Sequence, residues 1–242
     1  MFDHVTIRAT DRGVSERFFD TLLPGLGLEK TYADEHFAEW GDFSIAAASP
    51  ETPDTRGLHI GFAAPSRAHV DEFWRTGTEA GHRDDGPPGP RPQYRDDYYG
   101  AFLLDPDGNS IEAVHHGDMH ERGAIDHLWI RVADLATARA FYEVVGDHAG
   151  FRLADDRPGH AHFAAGSGSF SLVAGPATEQ VHMAFPVEDD ATVEAFHRAA
   201  TAAGYRDNGV PGERPAYHAG YYGAFVLDPD GNNIELVNHN RE

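Results

Sequence analysis

The chain contains one pattern twice: His4, His59 and Glu112 recur 123 residues later as His127, His182 and Glu235. The repetition extends well beyond these residues. Phe-Asp-His-Val-Thr-Ile-Arg at 2–8 answers Ile-Asp-His-Leu-Trp-Ile-Arg at 125–131, and the run Tyr-Tyr-Gly-Ala-Phe-Leu-Leu-Asp-Pro-Asp-Gly-Asn at 98–109 is repeated at 221–232 with a single Leu-to-Val change. An internal duplication of this length prescribes two similar units of about 120 residues, each able to bury a modest core. The polar run at 115–123 joins them, so the units are drawn at 1–117 and 124–242 with a linker at 118–123.

Each unit reads strand, helix, several strands, then the same again. Asp11 is placed to cap a helix carrying Val14, Phe18 and Leu22 on one face, ended by Gly25 to Gly27. Short strands follow at 36–40 and 43–47, then a strand around His59 and a helix from about Ser66 with Val70, Phe73, Trp74 and Gly77, stopped at Gly81. The Pro- and Gly-rich stretch 84–92 reads as a loop before a hairpin of strands at 99–104 and 110–115. Helices in the second unit fall near 135–145 and 191–203. Asp105-Pro106-Asp107-Gly108-Asn109 resembles a calcium loop only superficially. The place of the closing Glu is taken by His116, and by His239 in the repeat, so the stretch reads as a tight turn that positions Glu112 and Glu235.

Strand alternation puts His4 on one face with Thr6 and Arg8, and sets His59 and Glu112 against the apolar neighbours Leu58, Ile60, Ile111 and Ala113. With helices on the apolar face, a mixed sheet bent into a U presents the three polar residues on its concave side. Two neutral imidazoles and one carboxylate suit a divalent ion and leave adjacent coordination positions for substrate oxygens. Two such triplets imply two ions per chain. They form within each unit, or by exchange that joins His4 to His182 and Glu235, and His127 to His59 and Glu112.

A formal charge of −21 with one lysine, Lys30, and no basic run argues against nucleic acid or an anionic membrane as partner. The absence of cysteine excludes disulfides and thiolate chemistry. Met1 leads straight into a strand and no long apolar run occurs, so a soluble cytoplasmic protein is expected. The tandem fusion supplies a unit-to-unit interface within one chain, which favours a monomer, with a homodimer as the alternative.

These features, namely a His on the first strand of each motif, a Glu on the last and the Tyr-Tyr-Gly-Ala-Phe run ending in Asp-Pro-Asp-Gly-Asn, resemble the vicinal oxygen chelate superfamily over essentially the whole chain. That superfamily includes glyoxalase I, extradiol dioxygenases, fosfomycin-resistance enzymes and bleomycin-resistance proteins. The resemblance implies an α+β fold of two tandem units, each of paired βαβββ motifs forming a U-shaped mixed sheet with helices outside. It also implies a divalent metal, Fe(II), Mn(II), Ni(II) or Zn(II), and a small substrate held through vicinal oxygens.

Among the branches, glyoxalase I is similar to a four-ligand site, yet the strand at 43–47 offers only Ser44 as a polar side chain. Extradiol dioxygenases are closer in ligand number, but Phe225 and Phe102 stand where their acidic Tyr is placed, and Arg95 replaces His218 in the first unit. Arg8, Arg131, Arg91 and Arg214 leave room for an anionic substrate. The tyrosines that repeat before the final hairpin make Tyr99 and Tyr222 the candidate acid/base groups, together with His218. The two sites are expected to differ, because Thr6 corresponds to Trp129 and Glu39 to His162. The reading is a metal-dependent lyase, isomerase, dioxygenase or transferase. The alternative is a non-catalytic sequestering protein like the bleomycin-resistance proteins.

Overall fold

A computed structural model describes residues 1–117, 119 and 123–240, so most of the linker expected at 118–123 lies outside the described residues. In chain order the first half comprises β1 (His4–Ala9), α1 (Arg12–Leu22), β2 (Tyr32–Ala33), β3 (Phe37–Trp40), β4 (Phe43–Ala47), β5 (His59–Ala63), α2 (Arg67–Glu79), β6 (Arg83–Pro90), β7 (Tyr99–Leu104) and β8 (Ser110–His115). The second half repeats this series as β9 (Ile125–Val132), α3 (Leu135–Ala149), β10 (Arg152–Arg157), β11 (His160–Ala165), β12 (Gly168–Ala174), β13 (His182–Pro186), α4 (Asp190–Ala202), β14 (Arg206–Glu213), β15 (Tyr222–Leu227) and β16 (Asn233–Asn238). The architecture is α+β, built from mixed sheets and helices.

Two compact units emerge, one continuous (Thr6–Ile130) and one composite (Met1–Val5 with Arg131–Glu242). The start of each repeat's first strand therefore belongs to the compact unit that holds the other repeat's second motif. Within the continuous unit the strand order β9-β5-β8-β7-β6 contains one parallel pair, β5 with β8, flanked by antiparallel neighbours. Within the composite unit β13 runs parallel to β16, followed by antiparallel β15 and β14, and Asp3 N–H donates to Ala184 O at 2.8 Å beside β13.

The local chemistry explains most of these elements. Asp11 caps α1 by accepting from Val14 N–H at 3.0 Å. The helix buries Ser15, Phe18, Phe19 and Leu22 and leaves Val14 38% exposed, so Val14 stands outside the core face assigned to it. Gly146 does not end α3 near residue 145. A side chain there would overlap the Phe151 carbonyl, and the helix runs on to Ala149 before Gly150 turns it at φ 75°. Most of the stretch 84–92, expected as loop, belongs to the terminal strand β6, with register shifts between Asp84 and Gly86 and between Gly86 and Gly89. A terminal strand tolerates Pro87, Pro88 and Pro90 because fewer backbone donors are required of it.

The Asp105-to-Asn109 turn does more than reverse the chain. Asp105 Oδ1 accepts from the backbone of Asp107 (3.0 Å) and Asn109 (2.7 Å). The buried Asn109 side chain accepts from Leu58 N–H at 3.1 Å and donates to Thr55 O at 2.8 Å. The turn thus clamps the residue preceding His59 to the residue preceding Ser110, which sets the register of β5 against β8. Asn232 makes the same bonds to Val181 and Thr178. Replacing Asn109 with Ala leaves several buried backbone groups unpaired and is expected to cost about 2–4 kcal/mol in urea or thermal unfolding. A loss below about 0.5 kcal/mol would remove the clamp from the account.

Candidate functional site

Strand register assembles two polar centres. In the continuous unit β5 lies between β9 and β8, so that Gly61 pairs with His127 on one side and Glu112 on the other. His59, two residues earlier, shares their face. A Cβ on Gly61 would overlap the His127 ring, and one on Gly100, one pleat from Phe102 on the same face, would overlap Glu112 Oε1. In the composite unit Ala184 pairs with Glu235, and Gly223 makes the matching room for its carboxylate.

The outcome is two convergent triplets, His59–Glu112–His127 and His4–His182–Glu235. His59 Nε2 lies 3.0 Å from Glu112 Oε2 and 3.1 Å from His127 Nε2, and His127 Nε2 is 3.3 Å from Oε2. His182 Nε2 is 3.1 Å from Glu235 Oε2 and 2.9 Å from His4 Nε2, while the His4–Glu235 edge is 3.7 Å. Ligand atoms about 2.1 Å from one ion and at right angles lie about 3.0 Å apart, so these edges fit one face of a coordination sphere. Both carboxylates are only 1% exposed and face imidazoles. All six residues selected from the repeat are brought together, in the exchanged combination of the two sequence repeats.

A second layer orients the triplets. His4 Nδ1–H donates to Asp3 (2.8 Å) and His127 Nδ1–H to Asp126 (2.9 Å), which turns each Nε2 toward the centre. Tyr98 Oη donates to Glu112 Oε1 (2.8 Å) and Tyr221 Oη to Glu235 Oε1 (2.7 Å), leaving Oε2 for the imidazoles. His116 and His239 bond Asp126 (3.2 Å) and Asp3 (2.6 Å).

Electrostatics differ from group to group. Burial disfavours the His127 cation, but hydrogen bonds to Asp126 and Glu112 outweigh it and raise the pKa to about 10. For His59 and His182 burial dominates and lowers the pKa. Burial would raise Glu112, yet its bonds to His127 and His59 bring it below the usual carboxylate range. Burial, with the adjacent carboxylate, pushes Tyr98 and Tyr221 far above the usual phenol range, so both remain donors.

The three residues expected to serve in acid/base roles are placed elsewhere. Tyr99 Oη donates to Asp71 of α2 (2.8 Å), and Tyr222 Oη to Glu194 of α4 (3.2 Å). The reason is alternation: Phe102 pairs with Glu112 and shares its face, as does Gly100, so Tyr99 points to the helix side and Tyr98 to the site side. Counting residues in twos back from Phe102 would have selected Tyr98 and Tyr221. His218 bonds His239 (2.8 Å), which in turn bonds Asp3 beside His4. His162 bonds Ser171 (3.1 Å), and Thr6 bonds Ser44 (2.7 Å). Asp3 and Asp126 were missed, although the Asp-His pair is itself repeated.

Two predictions arise from this geometry. Gly61→Ala should displace His127 and weaken divalent-ion binding at the His59 centre about tenfold or more, while the His4 centre retains its affinity; equal affinities in the variant and parent by calorimetry would refute the row. The second concerns pH. His127 is raised above its unfolded value of about 6.5, so in metal-free protein its contribution to stability is fully present below that value and fades as pH rises through about 10. An ion binding the His59 centre at pH 7 must expel that proton. Calorimetry of Glu235→Ala in buffers of different ionisation enthalpy should show about one proton released per ion, and no buffer dependence would contradict the charged His127.

Among known structures, glyoxalase I from Zea mays aligns with a TM-score of 0.68 and 21% identity over 98% of this chain and 92% of that one. A putative dioxygenase from Bacillus subtilis aligns at 0.67 and 11% identity over 99% and 85%. A glyoxalase/bleomycin resistance protein from Albidiferax ferrireducens is 36% identical over 48% of this chain and 99% of its own, at a TM-score of 0.44. No curated protein matches the chain. The family's sequence model matches residues 1–113 and again 124–236. The chain belongs to the Glyoxalase/Bleomycin resistance protein/Dioxygenase superfamily, in a tandem form.

Proposed function

We propose that the protein is a divalent-metal-dependent enzyme acting on a small substrate that chelates through neighbouring oxygens. The observation that carries this reading is the convergence of two imidazole Nε2 atoms and one buried carboxylate oxygen, with mutual spacings of 3.0, 3.1 and 3.3 Å, in the His59 triplet. His59, His127 and Glu112 would hold one ion, and His4, His182 and Glu235 a second. A divalent ion bound there supplies Lewis-acid polarisation of substrate oxygens.

The residues around each centre have distinct tasks. Asp3 and Asp126 hold the tautomer that points His4 and His127 inward. Tyr98 and Tyr221 fix the carboxylates and, as persistent donors, do not act as bases at neutral pH. A proton removed from the substrate therefore leaves by a group other than Tyr99 or Tyr222, both of which are bonded to helix carboxylates. A purely sequestering protein has no need of two such triplets, each with a fixed tautomer on one His ligand.

Metal analysis of protein purified without a His tag or chelator should find close to two divalent ions per chain. Glu112→Ala and Glu235→Ala should each remove about one, because each takes away the only anionic ligand of its triplet. Retention of both ions in the double variant would overturn the assignment.

A further inference from the structure

Resting on that metal reading, the surroundings of the two centres differ in a way that bears on what each accepts. We propose that the His59 centre selects ligands whose chelating group carries a flat aromatic ring, and that Trp129 is the residue responsible. Trp129 pairs with His59 across β9 and β5, which sets the indole on the ligand face with ring centroids 6.1 Å apart. Phe102 pairs with Glu112 on the opposite flank, its ring 5.8 Å from His59. Tyr94 extends the wall, edge-on to Trp129 at 5.8 Å and itself 47% exposed.

Trp129, Phe102 and Tyr94, none of them buried, thus line the His59 side of the triplet. A flat ring carried by a chelating group bound there gains contact with these aromatic faces. The composite unit keeps the corresponding Phe225, 6.2 Å from His182, and the exposed Tyr217. In the sequence repeat the residue matching Trp129 is Thr6, which belongs to the continuous unit and whose hydroxyl is bonded to Ser44, and the composite unit contains no tryptophan. The indole is therefore particular to one centre.

An aromatic contact is worth about 0.5–1.5 kcal/mol beyond area burial, which corresponds to a preference of about two- to tenfold. Benzohydroxamate and acetohydroxamate present the same two oxygens on a phenyl and a methyl group. With Zn(II)-loaded Glu235→Ala, which leaves only the His59 centre, calorimetry should give benzohydroxamate a clear advantage. With Glu112→Ala, which leaves only the His4 centre, the ratio of the two affinities should be closer to one by about two- to tenfold. Trp129→Thr in the Glu235→Ala background should bring the ratio to the His4-centre value with Zn(II) stoichiometry retained, while Trp129→Phe should preserve most of it. Equal ratios at both centres, or a ratio untouched by Trp129→Thr, would overturn the inference while leaving the metal sites standing. Failure of the parent chain to take up Zn(II) or any other divalent ion would instead overturn the metal reading on which it rests.

Discussion

The pairing of β5 with a neighbour on each side is the constraint on which the His59 centre depends. His127, Gly61 and Glu112 form one row across three strands, and His59 stands one pleat away. A slip of one residue in either ladder would send a ligand to the helix-covered face, because side chains alternate with a period of two. Register is therefore specified from outside the row. Asn109 ties the entry of β5 to the start of β8, and the Asp105 carboxylate holds the turn that carries Asn109. The repeated Asp-Pro-Asp-Gly-Asn sequence is thus part of the centre although it touches none of the ligands.

Burial of a carboxylate at 1% exposure carries a desolvation cost that must be met by neighbouring charge or hydrogen bonds. At the His59 centre the compensation comes from the imidazoles and from Tyr98, and Asp126 stabilises the proton on His127 in turn. With His127 protonated, one positive charge faces the Glu112 and Asp126 carboxylates, and exchange of that proton for a divalent ion would take this group from a single net negative charge to neutral.

Much of this was legible in the sequence, for identifiable reasons. The 123-residue offset singles out the six residues of the two triplets without reference to structure. The turn chemistry, the Asp11 cap and the 3.6-residue pattern of the helices follow from local propensities. The exchange of first strands was not legible, since both pairings put the same residue types on the same strand faces. It is set by which strand lies against β5 and β13, a long-range choice. Tyr99 and Tyr222 were misplaced because two adjacent tyrosines are equivalent until the strand phase is known, and the phase was available from the pairing of Phe102 with Glu112. The strand at 83–90 was hidden by its prolines, which mark loops in most settings but are admissible on a terminal strand.

Internal duplication offers a comparison that a single unit cannot. The triplets, Asp3 and Asp126, Tyr98 and Tyr221, and His116 and His239 are the same in both repeats, so the hydrogen bonds that fix His4, His127 and the two carboxylates are held in common. The differences lie around them: Gly61 against Ala184, Trp129 against Thr6, Ser110 against Asn233, Arg95 against His218. Several alter the shape or polarity of the approach while leaving the triplet residues unchanged. Asn233 reaches His182 Nδ1 at 2.8 Å, whereas Ser110 turns to Asp85 at 2.7 Å. Ala184 puts a methyl group in the row beside Glu235, and the His4–Glu235 edge of 3.7 Å is the longest in either triplet. The two repeats thus share the triplet residues and differ in side chains near them in the sequence.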